Sequence, residues 1–305
     1  MTRRWVRRLV GSAIGVVVLG LPAYWWLIVE SGTPSGEFSL GIEELRHAAD
    51  AFPGERANAV RAEAVAEFRF PATAAFAGDG WAETSMPVFA YELQFGDHTA
   101  LIDSAVDEKT AGVKGGLAKY DAAAYARVQA ALERAAFAVV THEHYDHLGG
   151  VAAHPKVEQL MAKVKLTPEQ LSSASARAPL EFSAASLAAL KPLAFEKTVA
   201  VAPGVVLVHT PGHTPGSQLV YVRMANDEEF LFLGDVAWHR ENWEQVHERA
   251  RLVTLMIGED RDAVLRQLAA VKALQRAAPK LHVVPGHDGR VIDELVASGA
   301  MTRGM

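Results

Sequence analysis

The stretch from Thr141 to Gly150 holds a dense group of potential metal ligands. It reads Thr-His-Glu-His-Tyr-Asp-His-Leu-Gly-Gly and places three imidazoles and one carboxylate within six positions, at His142, His144, Asp146 and His147. Nitrogen and oxygen donors at this density suit two borderline divalent cations a few ångströms apart. The spacing therefore predicts the first half of a dinuclear metal site.

Three further potential ligands follow, each after a short apolar run. His213 lies in the turn Thr-Pro-Gly-His-Thr-Pro-Gly, Asp235 closes Leu-Phe-Leu-Gly-Asp, and His287 closes Val-Val-Pro-Gly-His. Short β-branched runs that end in Gly or Pro are typical of buried strands. Loops at the ends of a rigid sheet commonly carry function, so we expect these three residues to converge with the first group.

With these residues in their order, the chain resembles the metallo-β-lactamase-fold hydrolase superfamily over about Val88 to Asp288. The resemblance implies an α/β fold, an αβ/βα sandwich with the metals at one edge between two packed sheets. It also implies that Asp103, in Leu-Ile-Asp-Ser, braces the metal loop rather than binding metal. The implied ligand sets are His142, His144 and His213 for one metal, and Asp146, His147 and His287 for the other, with Asp235 bridging both.

Within this superfamily, the order and spacing from Gly234 to Trp243 and from Pro285 to Asp288 resemble the N-acyl homoserine lactonases. Those lactonases typically carry a tyrosine three residues after the bridging Asp, where this chain has Trp238. An indole N–H donates one hydrogen bond and accepts none. We predict Asp146 and Trp238 as catalytic residues; Trp238 is expected either to face the substrate or to pack beneath the metal loop.

The predicted cluster supports hydrolysis without a nucleophilic side chain, and the chain contains no cysteine. Two cations bridged by a carboxylate share a water that ionises near neutral pH, and the resulting hydroxide attacks a carbonyl or phosphoryl centre. The sequence predicts a dinuclear hydrolase of a lactone or carboxylic ester. Zinc is favoured, although iron or manganese would also suit the donors. The alternatives are metallo-β-lactamase-like or thioester hydrolysis and, least favoured because the ligand set is complete, a non-catalytic binding protein.

The N-terminal sequence predicts a membrane anchor. Four arginines precede an uncharged, mostly apolar run from Leu9 to Val29, which is long enough to cross a bilayer as a helix. Aromatic residues at positions 24–26 suit the membrane interface, and the arginines predict a periplasmic or other extracytoplasmic catalytic domain. An uncleaved anchor is favoured over a signal peptide cleaved after Ala23, because Leu21 is a poor residue for the −3 position.

The remaining chain is divided into a tether at 31–80 and a catalytic domain at 81–305. Periodicity predicts a short helix at Ile42–Ala51 within the tether, a β-hairpin around residues 96–98, and later helices near 120–132 and 265–274. Residues 154–192 are predicted either to cap the substrate or to form a surface helix pair without substrate contact. A net charge of −6 and a pI near 6.1 argue against a nucleic-acid partner. The expected partners are a small acyl substrate and, through residues 1–30, a membrane.

Overall fold

The computed structural model describes residues 18–113 and 115–305. Its strands are β1 Ala59–Pro71, β2 Glu83–Gln94, β3 Thr99–Ile102, β4 Leu117–Tyr120, β5 Phe137–Val139, β6 Val164–Lys165, β7 Thr198–Ala202, β8 Val205–His209, β9 Gln218–Arg223, β10 Glu229–Gly234, β11 His282–Pro285 and β12 Thr302–Arg303. After a π-helical turn at Trp25–Val29, its helices are α1 Ile42–Ala51, α2 Ala72–Ala75, α3 Glu108–Val113, α4 Ala122–Arg134, α5 Tyr145–Ala152, α6 Val157–Met161, α7 Pro168–Ser172, α8 Ala174–Arg177, α9 Ala184–Ala189, α10 Arg240–Gln245, α11 Arg251–Ile257, α12 Arg261–Ala277 and α13 Gly289–Ala297.

The strands form two sheets. The first has the order β12-β1-β2-β3-β5-β6, with β4 paired to β1, and the second has the order β11-β10-β9-β8-β7. In the first sheet β3 and β5 are parallel, and in the second β10 and β11 are parallel. β8 also runs in the direction of β10, because both are antiparallel to β9.

The main core lies between the sheets, and β8 shows how the sequence specifies it. Val205 and Leu207 belong to the inter-sheet cluster, whereas Val206 and Val208 belong to the cluster under the outer helices. Successive side chains of a strand point to opposite faces. A run that is apolar at every position therefore indicates a strand buried on both faces, as β8 is.

Helices cover the outer face of each sheet. Ala124, Val128 and Leu132 of α4 belong to the cluster on the first sheet, and α1 and α12 contribute to the cluster on the second. The predicted αβ/βα sandwich is thus confirmed. The hairpin of β2 and β3 and the helices α1, α4 and α12 lie where periodicity predicted them.

The segment predicted as a tether differs from that expectation after α1. Residues 59–71 form β1, which pairs with β2 from Ala59–Gln94 to Pro71–Glu83. The strand contains four Ala and two Glu residues, types with low β propensity, so its local sequence gave little sign of it. Its pairing partner supplies the stabilisation, and Val60, Val65 and Phe68 are buried in the core.

Residues 18–24 are helical and continue into the turn Trp25–Val29; we call residues 18–29 the N-terminal helix. In the described part of the chain, no helix is both long and apolar enough to span a bilayer. Residues 1–17, which hold the arginines and the start of the apolar run, lie outside the described residues. The anchor therefore stays a prediction.

Candidate metal centre

All the predicted ligand loops meet at one edge of the sandwich. The loop of residues 141–144 follows β5 and leads into α5, which carries Asp146 and His147. The other loops follow β8, β10 and β11, which point the same way, and carry His213, Asp235 and His287. The site therefore draws ligands from both sheets, because the carboxyl ends of these strands face one edge.

The first ligand group consists of His142, His144, His213 and Asp235. His144 Nδ1 lies 3.0 Å from His142 Nε2 and 3.0 Å from His213 Nε2. Asp235 Oδ2 is 3.3 Å from His213 Nε2 and 3.7 Å from His142 Nε2. Zinc–nitrogen bonds of 2.0–2.1 Å in a tetrahedron place neighbouring donor atoms about 3.3 Å apart. The four atoms therefore fit around one cation.

The second group consists of Asp146, His147 and His287 and faces the other carboxylate oxygen of Asp235. Asp235 Oδ1 is 3.0 Å from His287 Nε2 and 3.3 Å from His147 Nε2. Asp146 Oδ2 lies 3.6 Å from His287 Nε2 and 3.8 Å from His147 Nε2. The structure thus brings all seven predicted ligands together, with one oxygen of Asp235 toward each group.

Two buried atoms at the centre test whether the residues suit metal. His147 Nε2 and Asp235 Oδ1 are buried and make no hydrogen bond within the described protein. Buried polar atoms are normally satisfied, and an unsatisfied one costs about 1–3 kcal/mol. Both atoms belong to the predicted ligand set and lie 3.3 Å apart. A cation between them would satisfy both, so the donor set fits a metal.

The electrostatics differ among the ligand histidines. Burial, followed by the charge of His147, holds the pKa of His142 well below its usual range. Burial also lowers the pKa of His147, but the carboxylates of Asp103, Asp235 and Asp146 outweigh it and raise that pKa well above its usual range. Neutral imidazole is the metal-binding form, so a cation at the second group must displace the proton that these carboxylates stabilise on the imidazole of His147.

Each group has a histidine oriented from behind by a carboxylate. Asp103 Oδ2 lies 2.8 Å from His147 Nδ1, and its other oxygen accepts the backbone N–H of Thr141 at 2.7 Å. Glu259 Oε2 lies 2.8 Å from His213 Nδ1. Such partners fix the ring orientation and leave Nε2 for the metal. The bracing role expected of Asp103 agrees with this geometry.

Glycines permit the close approach of the loops. A Cβ on Gly286 would lie 2.6 Å from Asp235 Oδ1, and one on Gly234 would lie 2.6 Å from the Cβ of Thr141. Gly234 also has a φ of +49°, a backbone conformation that residues other than glycine rarely adopt. The second sheet can therefore place Asp235 against the first metal loop only with glycine at these positions.

Trp238 lines the site, but its indole N–H points at Asp235 and not at the substrate, as one of the two predicted arrangements required. Its indole Nε1 donates to Asp235 Oδ2 at 2.7 Å, so the single donor orients a ligand rather than a substrate carbonyl. The guanidinium of Arg249 lies 4.1 Å from the centre of the indole ring. The stacking with Arg249 and the hydrogen bond to Asp235 hold Trp238 in place. The N–H is the only polar group of an indole, so no second hydrogen bond competes for its orientation.

Sequence reasoning missed two buried charged residues behind the site, Arg249 and Glu259. Arg249 donates to Glu259 Oε2 and to the backbone oxygen of Asp235, both at 2.6 Å. Both side chains are at most 2% exposed. They follow Asp235 by 14 and 24 positions, in a stretch whose polar composition is typical of an exposed surface. Their spacing did not indicate that they are part of the site.

A pocket of about 720 Å³ opens over the ligands. Its apolar wall includes Phe68, Met86 and residues 255–257, and its cap-side wall includes residues 173–178. The predicted cap therefore contacts the site through α8 and its flanks. Tyr145, which we had not singled out, also lines the pocket and packs edge-on against Phe68 at 6.3 Å.

Comparisons with known proteins agree with this geometry. The family model described as the metallo-beta-lactamase superfamily matches residues 84–287. An N-acyl homoserine lactonase of a Bacillus species is 29% identical over 108 residues, and one of Bacillus thuringiensis is 26% identical over the same length. Each match covers 35% of this chain and 41% of the relative. The aligned part thus spans less than half of these curated relatives.

Solved structures extend the likeness in fold. An N-acyl homoserine lactone hydrolase with N-hexanoyl-L-homoserine at its catalytic metal centre has a TM-score of 0.62 at 18% identity, covering 78% of this chain and 96% of that one. A probable metal-dependent hydrolase from Staphylococcus aureus has a TM-score of 0.58 at 14% identity, covering 77% and 91%. At these identities the likeness concerns the fold.

Proposed function

Since the chain belongs to the metallo-beta-lactamase superfamily, we propose that it is a metal-dependent hydrolase that opens a lactone or carboxylic ester. The observation that carries the proposal is the position of Asp235. Its two oxygens face separate ligand groups, and one of them is buried without a hydrogen bond. A carboxylate in this position suits two cations rather than one.

Two divalent cations, which we propose to be zinc, would be held by the seven ligands. When bound, they would supply Lewis acidity and an activated water for attack on an acyl carbon. Imidazole nitrogen dominates the first group, which favours zinc over magnesium or calcium. Asp103 and Glu259 keep His147 and His213 oriented, and Trp238 holds Asp235 from the pocket side.

The pocket supports an acyl substrate. Aromatic and aliphatic side chains form much of its wall, while the polar atoms converge at its floor on the ligands. Such a layout binds an apolar chain and fixes a polar head group at one point. We propose that Tyr145, which lines the pocket beside the ligands, contacts the substrate carbonyl through its phenol, which keeps its O–H at neutral pH.

We further propose that residues 9–29 anchor the enzyme in a membrane with the catalytic domain outside the cytoplasm. The support is the uncharged run between Arg8 and Glu30 and the aromatic residues at its far end. In soluble proteins such aromatic residues are mostly covered, but Trp25 is 55% exposed and Trp26 is 46% exposed. Exposed aromatic side chains at the end of an apolar helix suit a membrane interface.

The test is a hydrolysis screen on the full chain in detergent, with metal content measured on the same preparation. Lactones, esters, thioesters and β-lactams are compared, and we expect lactones or esters to turn over with about two metal equivalents bound. Asp235→Asn is the matched control, because it keeps the shape of the ligand and removes its charge. A metal-loaded wild-type protein that prefers thioesters or β-lactams would overturn the substrate assignment. Near-normal turnover with two equivalents in Asp235→Asn would overturn the bridging role.

A further inference from the structure

Exposed apolar side chains are concentrated on one surface of the described protein. Nine of its 13 exposed large hydrophobic residues lie on the N-terminal helix and on α11. We call the exposed sides of these two helices the apolar shelf. On α11 the shelf contains Leu252, Leu255 and Met256, with Met256 77% exposed. Exposed apolar side chains concentrated on two helices that contact each other usually mark an interaction site.

Polar contacts fix the two helices to each other and to the sandwich. The guanidinium of Arg251 lies 4.4 Å from the ring centre of Trp26, its Nε donates to the backbone oxygen of Trp26 at 3.2 Å, and it pairs with Glu30. Thr73 Oγ1 donates to the backbone oxygen of Ile28 at 3.0 Å. The end of the N-terminal helix around Trp26 and Ile28 and the start of α11 are therefore fixed to the catalytic domain.

The shelf continues into the mouth of the catalytic pocket. Leu255 and Met256 are both among its exposed residues and among the residues that line the pocket over the ligands. Whatever covers the shelf therefore also borders the entrance to the pocket. If an apolar environment covers the shelf, the acyl chain of a substrate could pass from it directly to the apolar wall of the catalytic pocket.

The sequence indicates what covers the shelf. Residues 9–29 carry no charged side chain, and the described end of this run, with Tyr24, Trp25 and Trp26, is itself part of the shelf. A run of this length suits a bilayer, and Trp and Tyr prefer its interface. Residues of α11 that lie beside this end of the run are consequently at the level of the interface.

From this continuity we propose that the apolar shelf rests in the outer leaflet of the bilayer that anchors the chain, and that amphiphilic acyl substrates enter the pocket from the lipid. The inference rests on the proposed hydrolase function and on the proposed anchor. Arg251 and Arg261, two basic residues beside the shelf, are already paired with Glu30 and Glu248. Docking is therefore driven by apolar burial and does not require anionic lipid.

Fluorescence quenching tests the docking in the full chain. Since the protein has no cysteine, single labels are placed through Leu21→Cys, Met256→Cys and Phe52→Cys, and the protein is reconstituted in phosphatidylcholine vesicles with or without spin-labelled lipid. Phe52 is the control, because it is 40% exposed and lines a different pocket. We expect quenching at 21 and 256 and none at 52, unchanged when phosphatidylglycerol is added.

The outcomes separate the two proposals. Quenching at position 21 without quenching at 256 would leave the anchor intact and refute docking of the shelf. The absence of quenching at both positions would refute the anchor and the docking together. Docking that appears only with phosphatidylglycerol would refute the apolar mechanism.

Kinetics in the same vesicles test the route of entry. Leu252→Asp is compared with Phe52→Asp, since both positions are 40% exposed and neither lines the catalytic pocket. Loss of one leucine from the lipid should reduce kcat/KM for a dodecanoyl lactone by at least about tenfold, with little change for a butanoyl lactone dissolved in water. Equal losses for both substrates would refute entry from the lipid. A wild-type protein inactive on both lactones would refute a lactone as its substrate, and the quenching would still decide the docking.

Discussion

Glu259→Gln should weaken the first metal site and destabilise the fold through two separable effects. Glu259 is buried behind the centre, 2.8 Å from His213 Nδ1 and 2.6 Å from Arg249 Nη1. Burial raises the pKa of its carboxyl, but Arg249 and His213 outweigh burial and hold that pKa below its ordinary value. The carboxylate is thus charged in the native protein, and glutamine removes the charge while keeping the shape.

The magnitudes follow from the two contacts. Loss of a carboxylate behind a metal-bound histidine lowers metal affinity by about 10- to 100-fold. Loss of the partner of a buried arginine costs about 3–5 kcal/mol, which for a domain of this size lowers Tm by roughly 6–20 °C. Adding Arg249→Met removes the stranded charge, so the double variant should recover much of the stability and none of the metal affinity.

Metal affinity is measured by competition with a chromophoric chelator, and Tm is measured on metal-stripped protein so that metal loss does not contribute. Glu248→Gln is the control, because Glu248 is buried and pairs with Arg261 without contacting a ligand; it should lower Tm and leave metal affinity unchanged. Unaltered metal affinity in Glu259→Gln would refute the orienting role. A double variant as unstable as the single one would refute the argument from the unpaired charge.

Three further variants test other parts of the structure. Trp238→Phe keeps an aromatic ring under Arg249 and removes the hydrogen bond from the indole N–H to Asp235, so metal affinity should fall by about tenfold while KM stays near its wild-type value. A raised KM with unchanged metal affinity would instead show that the indole contacts the substrate. Tyr145→Phe should lower kcat/KM by about 10- to 100-fold, the effect of one lost donor, and a normal rate at normal metal content would exclude the phenol. Burial raises the pKa of Glu229, but its bonds with Arg46 and Tyr221 outweigh burial and lower it below 4.5. The charged Glu229 therefore stabilises the folded protein above pH 4.5, and this contribution is lost at lower pH. The Tm difference between wild type and Glu229→Gln, measured on metal-stripped protein, should shrink as the pH falls below 4.5. A difference that stays constant would show that the pKa of Glu229 is not lowered in the folded protein.

The ligands were predictable because their chemistry restricts both residue type and position. Histidines at 142, 144 and 147 form a dense local pattern, and the strands before His213, Asp235 and His287 are apolar at consecutive positions. Strand ends and ligand types together therefore predicted one convergent site. The resemblance to the superfamily implied the sandwich, and the same runs agree with it, because strands buried on both faces need a covering layer on each side.

The residues that orient the ligands were less accessible to sequence reasoning. Arg249 and Glu259 are ten positions apart and are paired by the fold, so no local period relates them. Trp238 has a spacing from Asp235 that fits a residue of the site, but the direction of its N–H depends on Arg249 packing against the ring. β1 was missed for a similar reason, since its stability comes from its pairing with β2 rather than from its own propensity.

The origin of the candidate ligands from two sheets would give a bound metal a structural role as well as a chemical one. His142 and His144 follow a strand of the first sheet, whereas His213, Asp235 and His287 follow strands of the second. Any cation bound by either group therefore crosslinks the two layers at this edge. Binding to the native state alone stabilises it in proportion to metal affinity. Substitutions behind the ligands consequently affect the cohesion of the two sheets even where they leave the core between them untouched.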